Sequence, residues 1–256
     1  MWIDSHAHLN DAAFQGDLPR TIEKAREAGV GAILVVGYDL ASSRLAVQLA
    51  EQHHGLWAAA GIHPHDAKTW NEELEVGLGE LLNHEKVVAV GEIGLDYHYL
   101  YSSREEQQLA FRAQLRLAEK VEKPFIIHNR EAHQDTIAIL KDEKIGPAGG
   151  VMHCFSGSLE TARECLRLGL YLSFAGPLTF SNAAKLREVA AALPLGKLMI
   201  ETDAPYLTPA PFRGERNEPA RVGLVGEKLA AIKGLEVQQV MAATSENTSR
   251  LFKISL

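Results

Sequence analysis

The chain contains eleven histidines, and several of them fall in short polar clusters directly after apolar runs. His6-Ala7-His8, His63-Pro64-His65, Gly91-Glu92, His128-Asn129-Arg130, His153 and Glu201-Thr202-Asp203 all have this setting. Side chains at i and i+2 of an extended segment share a face, so His6 and His8 can turn toward one cation with Ala7 pointing away. Neutral imidazole and carboxylate suit zinc, manganese and similar divalent ions. A lone histidine at a strand end is more often a hydrogen-bonded structural residue. Six of the eleven histidines occupy such positions alongside carboxylates, and burying that many titratable groups is unfavourable unless their charge and lone pairs are used. Spacing leaves open which of them share an ion and how many ions there are. His53, His54, His84, His98 and His133 fall on helix surfaces or loops and receive no role.

For these clusters to meet, the ends of successive strands must converge. Short apolar runs, many of them β-branched, recur at 2–4, 32–36, 56–60, 87–90, 125–127, 150–152, 171–174 and 197–200, giving eight candidate strands. Between them lie stretches of helical periodicity, such as Leu18, Ile22, Ala25 and Ala28, whose spacing puts one apolar stripe on a helix. Pro19 suits a first helical turn, Gly29 and Gly169 suit helix ends, and Ser158 can cap the helix that follows it. A repeated β-then-α order implies parallel strands with right-handed crossovers. Eight such units in 256 residues fit a closed (β/α)8 TIM barrel, an α/β fold whose active sites lie at the C-terminal mouth. The expectation is a single barrel domain over residues 1–256 with a metal site at that mouth.

Composition narrows the function classes. With 46% hydrophobic and 23% charged residues the chain has a globular profile, without the bias of a disordered, collagenous or coiled-coil protein. A formal net charge of −7 is unlike a surface that grips nucleic acid nonspecifically, so any polyanion would bind locally. Two cysteines, Cys154 and Cys165, match neither a disulfide scaffold nor a C-x-x-C site and are expected to be reduced and packed. No run approaches the roughly 18 apolar residues of a membrane span and no signal-like N-terminus is present, so the expected compartment is the cytoplasm. No glycine fingerprint for a dinucleotide follows a strand, and there is no phosphate-binding P-loop, zincin helix or G-x-S-x-G elbow.

The ordered set DSHAHL at 4–9, GIHPH at 61–65, GEIGLDY at 91–97, HNRE at 128–131, HCFSG at 153–157, ETDAPYL at 201–207 and RGERNEP at 213–219 resembles the TatD family of metal-dependent deoxyribonucleases. The resemblance covers nearly the whole chain. It implies metal ligation by His6, His8, Glu92, His128, His153 and Asp203, with two divalent ions (zinc, manganese, magnesium or cobalt) bridged by Glu92. It also implies hydrolysis of phosphodiester bonds in DNA. On that chemistry Asp203 can orient water and accept its proton, and His63 can donate to phosphate or leaving group. Arg130, two residues beyond His128, can pair with a phosphate, as can Arg213, Arg216 and Asn217 in the long loop after the last strand. Single-stranded or frayed DNA ends are the expected substrate, with no membrane and no stable protein partner. Trp70, Tyr97, Tyr99, Tyr101 and Tyr206 fall in loops and are left unassigned. The competing enzyme class is an amidohydrolase or deacylase cutting a C–N or ester bond, since the same mouth can activate water against a carbonyl. A noncatalytic metal-binding protein is the other alternative.

Overall fold

The computed structural model describes residues 1–255. Eight strands form one parallel sheet in sequential order: β1 (Trp2–Ala7), β2 (Val30–Val36), β3 (Leu56–Ala60), β4 (Val87–Asp96), β5 (Phe125–Arg130), β6 (Gly150–Met152), β7 (Tyr171–Phe174) and β8 (Leu198–Ile200). Helices α1 (Leu18–Glu27), α2 (Leu40–Gln52), α3 (Glu72–Leu82), α4 (Arg104–Lys120), α5 (His133–Asp142), α6 (Leu159–Arg167), α7 (Ala184–Ala192) and α8 (Val222–Lys233) each follow the strand of the same number, and α9 (Val237–Phe252) packs across β1 and β8. This is the expected (β/α)8 barrel.

Alternation along the strands builds two apolar layers. Ala32, Leu34 and Val36 of β2 join Ile3, Ala59, Ala89, Ile126, Val151 and Met199 in one cluster, while Ile33 and Val35 belong to the larger cluster that includes Ile22, Ala46 and Leu78 of the helices. Strands packed on both faces read as unbroken apolar runs, which is why the sequence shows them so plainly. Helix punctuation also follows local chemistry: Pro19 sits in the first turn of α1, Ser158 Oγ accepts from Thr161 N at the start of α6, and Gly29 and Gly169 take the left-handed backbone conformation that ends a helix. Both cysteines are free. No helix among the described residues is long and apolar enough to cross a membrane.

Three strands run further than their apolar segments. β1, β4 and β5 continue through His6, Glu92 and His128, so these residues lie within strands and not beyond them. Two of the three carry a register shift at the relevant point, between Asp4 and Ala7 in β1 and between Val90 and Ile93 in β4. In each case three steps on one strand oppose two on its neighbour, the signature of a bulge, which bends the strand and re-aims a side chain. The sheet closes where β1 meets β8. Ser5 Oγ donates to Ile200 O at 3.0 Å, Thr202 N to Asp4 Oδ1 at 2.9 Å, Asp203 N to His6 O at 2.9 Å and His8 N to Ala204 O at 2.7 Å. That seam holds His6, His8 and Asp203 together.

Candidate metal centre

The groups gathered by the seam and the two bulges form a compact cluster at the C-terminal mouth, around Glu92. This carboxylate is only 3% exposed and its two oxygens face different partners. Oε2 lies 3.4 Å from His6 Nε2 and 3.6 Å from His8 Nε2. Asp203 Oδ1 lies 3.7 and 3.5 Å from the same two nitrogens, which are themselves 3.2 Å apart. Four donors placed tetrahedrally at 2.0–2.1 Å from a zinc-sized ion are about 3.3–3.4 Å from one another; His6, His8 and Asp203 form a trio able to hold an ion, and Glu92 Oε2 adjoins its two histidines. On the other side, Glu92 Oε1 is 2.8 Å from both His128 Nδ1 and His153 Nε2, and 3.7 Å from His63 Nε2.

The outer nitrogens of three of these rings are held so that the inner ones face the cluster. His8 Nδ1 bonds Val36 O at 2.9 Å, His128 Nε2 bonds Asp96 Oδ2 at 3.0 Å, and His153 Nδ1 bonds Glu201 Oε1 at 3.1 Å. A carboxylate or carbonyl behind an imidazole fixes its tautomer and raises its basicity as a ligand. His6 stacks on His153 with ring centroids 4.0 Å apart and interplanar angle 14°. Its Nδ1 is buried without a hydrogen-bond partner, so its polar contacts fall on Nε2. Glu201 also lies near His6 and His153, but its oxygens are taken by His153, Cys154 N and Ser173 Oγ, which makes it a brace.

Electrostatics supports cation binding. Burial pushes the Glu92 carboxyl up, but His153, His6 and His63 outweigh that effect and hold it well below the usual carboxylate range. Asp203 behaves in the same way: burial is outweighed by His8, His6 and His153, and its pKa is lowered. Burial pulls His153 down, yet Glu92 and Glu201 on its two sides raise it well above an ordinary histidine. Against the pull of burial, the carboxylates likewise raise His8 and His128, whereas burial and neighbouring histidines lower His6 and His63. Divalent ions can replace protons on the raised rings, because ionised carboxylate and neutral imidazole are the forms that bind metal. Donor type, spacing and charge all fit divalent cations.

Asp203 takes its position through an unusual backbone, with φ +56° just past the end of β8, in the left-handed region that Asp tolerates better than most residues. Gly94 performs a related service for His128. Its φ is +140°, and a Cβ there would fall 2.0 Å from His128 O, so only glycine lets β4 approach β5 this closely.

A cavity of about 760 Å³ opens over the cluster, lined by residues that include His8, His63, His65, Glu92, His128, Arg130, His153 and Asp203. Hollows of similar size elsewhere, one of them between α3 and α4, lack such a convergence of ligand-type groups. Arg130 is the only Lys or Arg lining the mouth cavity among the described residues. The other expected phosphate contacts lie elsewhere. Arg216 forms a two-pronged pair with Asp17 at 2.8 and 2.7 Å and also bonds Ala13 O. Asn217 is fully buried, donating to Thr202 O and Tyr206 O and accepting from Glu218 N, so its amide braces the loop and is not free for substrate. Arg213 stacks over Phe180 at 3.6 Å, outside the cavity lining. A basic loop rich in polar residues has the same composition whether it binds phosphate or ties itself to its neighbours.

Sequence reasoning missed Asp96 and Glu201 as supports. The available signal was parity: Asp96 is four residues after Glu92 on one strand, and Glu201 is two before Asp203. Asp96 Oδ2 also bonds His65 Nε2 at 3.0 Å, so one carboxylate holds two histidines. Asp96→Ala is expected to weaken divalent metal binding about 10- to 100-fold, the usual cost of losing such a support, with only one of two binding steps affected in a calorimetric titration. Unchanged affinity in both steps would dismiss that role.

Residues 3–253 match the family model for TatD related DNase. A Bacillus subtilis (strain 168) protein named as an uncharacterized metal-dependent hydrolase, YabD, is 47% identical over 255 residues, covering 100% of both chains. A Klebsiella pneumoniae (strain 342) protein named 3′-5′ ssDNA/RNA exonuclease TatD is 37% identical, covering 99% of this chain and 98% of its own. The crystal structure of YjjV, a TatD homologue from Escherichia coli K12, superposes with a TM-score of 0.95 at 35% identity, covering 99% of this chain and 98% of that one.

Proposed function

Because the chain belongs to the TatD-related DNase family of metal-dependent hydrolases, we propose that residues 1–256 act as one catalytic domain that hydrolyses phosphodiester bonds at single-stranded or frayed ends of nucleic acid, DNA foremost. The observation that carries this reading is Glu92, whose two oxygens face two separate sets of ligand-type atoms. His6, His8, Asp203 and Glu92 would hold one ion; Glu92, His128 and His153 would hold the other. Sets that combine two imidazoles with carboxylate suit zinc, manganese or cobalt better than magnesium, which prefers all-oxygen ligands. Bound divalent ions supply Lewis acidity, polarising a phosphoryl oxygen and making water more acidic.

The remaining work falls to the chain's own side chains. Asp203 orients the attacking water and accepts its proton as the water oxygen bonds to phosphorus and the P–O bond to the leaving group breaks. His63 Nδ1 accepts a hydrogen bond from His65 N at 3.1 Å, which leaves the proton on Nε2, the nitrogen that faces Glu92. Burial and the neighbouring His128 depress the His63 pKa well below the ordinary value, so it acts as a neutral N–H donor to a phosphate oxygen. Arg130 pairs with phosphate at the cavity edge.

Strand ends are favoured over duplex interiors for two reasons. The cavity is concave, and a chain of net charge −7 with one lining arginine offers no long basic track for a duplex. The exonuclease names of relatives such as the Klebsiella protein agree with this reading. Metal-loaded protein is expected to trim end-labelled linear single strands, to spare a covalently closed single-stranded circle, and to stop on chelation. Cleavage of the circle at the linear rate would refute end-directed action. Hydrolysis of amides or esters with no phosphodiester cleavage would transfer the site to the deacylase class.

A further inference from the structure

Five loop aromatics surround the strand ends, and the structure separates them. Tyr97 donates to Asp135 at 2.7 Å and lies under Arg104, and Trp70 packs against the core. Tyr206 is 52% exposed and lines the cavity beside His8, but its hydroxyl is tied to Asp11 at 3.2 Å. Tyr99 and Tyr101, in the loop between β4 and α4, differ from these. Their rings are nearly parallel, with centroids 5.7 Å apart and interplanar angle 6°, and they are 42% and 60% exposed with Leu100 between them at 56%. Tyr99, Leu100 and Tyr101 form a patch of three consecutive large side chains facing solvent; they do not themselves line the cavity, and Arg130 links them to it.

The patch is joined firmly to the metal centre. His65 meets both rings edge-on, at 5.8 Å and 85° for Tyr99 and at 4.9 Å and 89° for Tyr101. Through Asp96, His65 is coupled to His128. Tyr99 N donates to Asp96 Oδ1 at 2.8 Å, Lys68 Nζ to Tyr101 O at 3.2 Å, and Ser103 begins α4 with a reciprocal cap to Glu106. The loop is therefore ordered before any ligand arrives, which lowers the entropic cost of binding. The Arg130 guanidinium lies 4.7 Å from the Tyr99 ring centroid while also lining the cavity. An arginine can stack by its face and still direct its N–H edge at an anion.

We propose that Tyr99 and Tyr101, with Arg130, form a stacking subsite for a nucleobase of the single strand whose phosphate occupies the adjoining mouth. The inference rests on the nuclease reading and adds the recognition element to it: a π-face for the base beside a cation for its phosphate. Stacking of this kind is tolerant of sequence, because every base offers a π-face. It also favours single strands, since a paired base is already stacked on its neighbours.

The test uses metal-loaded full-length protein and 5′-labelled single-stranded dodecamers, each with one abasic tetrahydrofuran nucleotide at a different position. For the wild type, one position near the cleaved end is expected to lower kcat/KM by about 5- to 150-fold, the range for one base–aromatic stack, with little effect elsewhere. The Tyr99→Leu/Tyr101→Leu protein is expected to show a loss of that size on the intact strand, larger in KM than in kcat, and no further loss on the abasic one. The Tyr99→Phe/Tyr101→Phe protein, which keeps the π-faces, is expected to retain the wild-type pattern. Undiminished abasic discrimination in the leucine variant, or a phenylalanine variant as impaired as the leucine one, would overturn the subsite. If the leucine variant fails to fold, a wild-type scan with no position-dependent loss would overturn it equally. A wild type that cleaves none of the strands would instead overturn the nuclease reading itself.

Discussion

Glu92→Ala is expected to strip the protein of both ions, whereas His128→Ala removes or weakens only one. The difference follows from where the two carboxylate oxygens point. Oε1 lies 2.8 Å from His128 Nδ1 and His153 Nε2, and Oε2 lies 3.4 and 3.6 Å from His6 and His8 Nε2. Alanine at this position removes a shared donor and the one carboxylate between the two groups of rings. His128→Ala leaves the cage of His6, His8, Asp203 and Glu92 with all its donors. Elemental analysis after dialysis against a fixed concentration of zinc or manganese should read near two ions per chain for the wild type, near one for His128→Ala and near zero for Glu92→Ala. Turnover in Glu92→Ala should fall on the order of 10³-fold or more, since water activation and charge stabilisation are both lost. Equal loss of a single ion in both variants would remove the bridge, and turnover that survives chelation in the wild type would remove the metal centre altogether.

The parts of this site that could be read from sequence are those that obey a simple period. Apolar strands buried on both faces announce themselves as runs, and the alternation of strand and helix then dictates that polar residues at the strand ends meet at one mouth. That rule gathers His6, His8, Glu92, His128, His153 and Asp203 together with His63, His65, Arg130 and Glu201; choosing the first six as ligands takes the resemblance to the TatD family, because spacing does not separate them. Where the period breaks, so does legibility. The bulges at His6 and Glu92 each add one residue to a strand, and nothing in the local residue types marks them, because a bulge is set by how a strand pairs with its neighbour. Arg216 and Asn217 illustrate a different limit. Their hydrogen-bonding groups are spent on Asp17, Thr202 and Tyr206, partners 199, 15 and 11 residues distant in the chain. Whether a polar loop residue is free or tied depends on such contacts. Tyr99 and Tyr101 are the converse case: aromatic side chains that composition would send inward remain exposed.

Asp203→Asn is expected to leave a folded, metal-binding protein that has lost most of its turnover. Asparagine retains the shape of the side chain and one carbonyl oxygen able to face His6 and His8, but it cannot take a proton from water. The local fold is well placed to survive the change. The turn after β8 is held by backbone atoms, with Asp203 N donating to His6 O at 2.9 Å and Tyr206 N donating to Asp203 O at 2.8 Å. The positive φ of +56° is one that asparagine accepts as readily as aspartate. If Asp203 served only to shape the turn into Ala204-Pro205, the variant would be little changed in turnover per folded molecule. If it serves as the base, the loss should be about 10²- to 10⁴-fold, the usual contribution of a positioned general base, and should persist at saturating metal. Surrounding histidines hold the Asp203 carboxyl below its ordinary range against the opposing effect of burial, so it is ionised at neutral pH, the form a base and a metal ligand both need. Melting temperature, bound metal and turnover measured on one preparation separate the two roles, and near wild-type turnover in the metal-loaded variant would sink the assignment of Asp203 as the base.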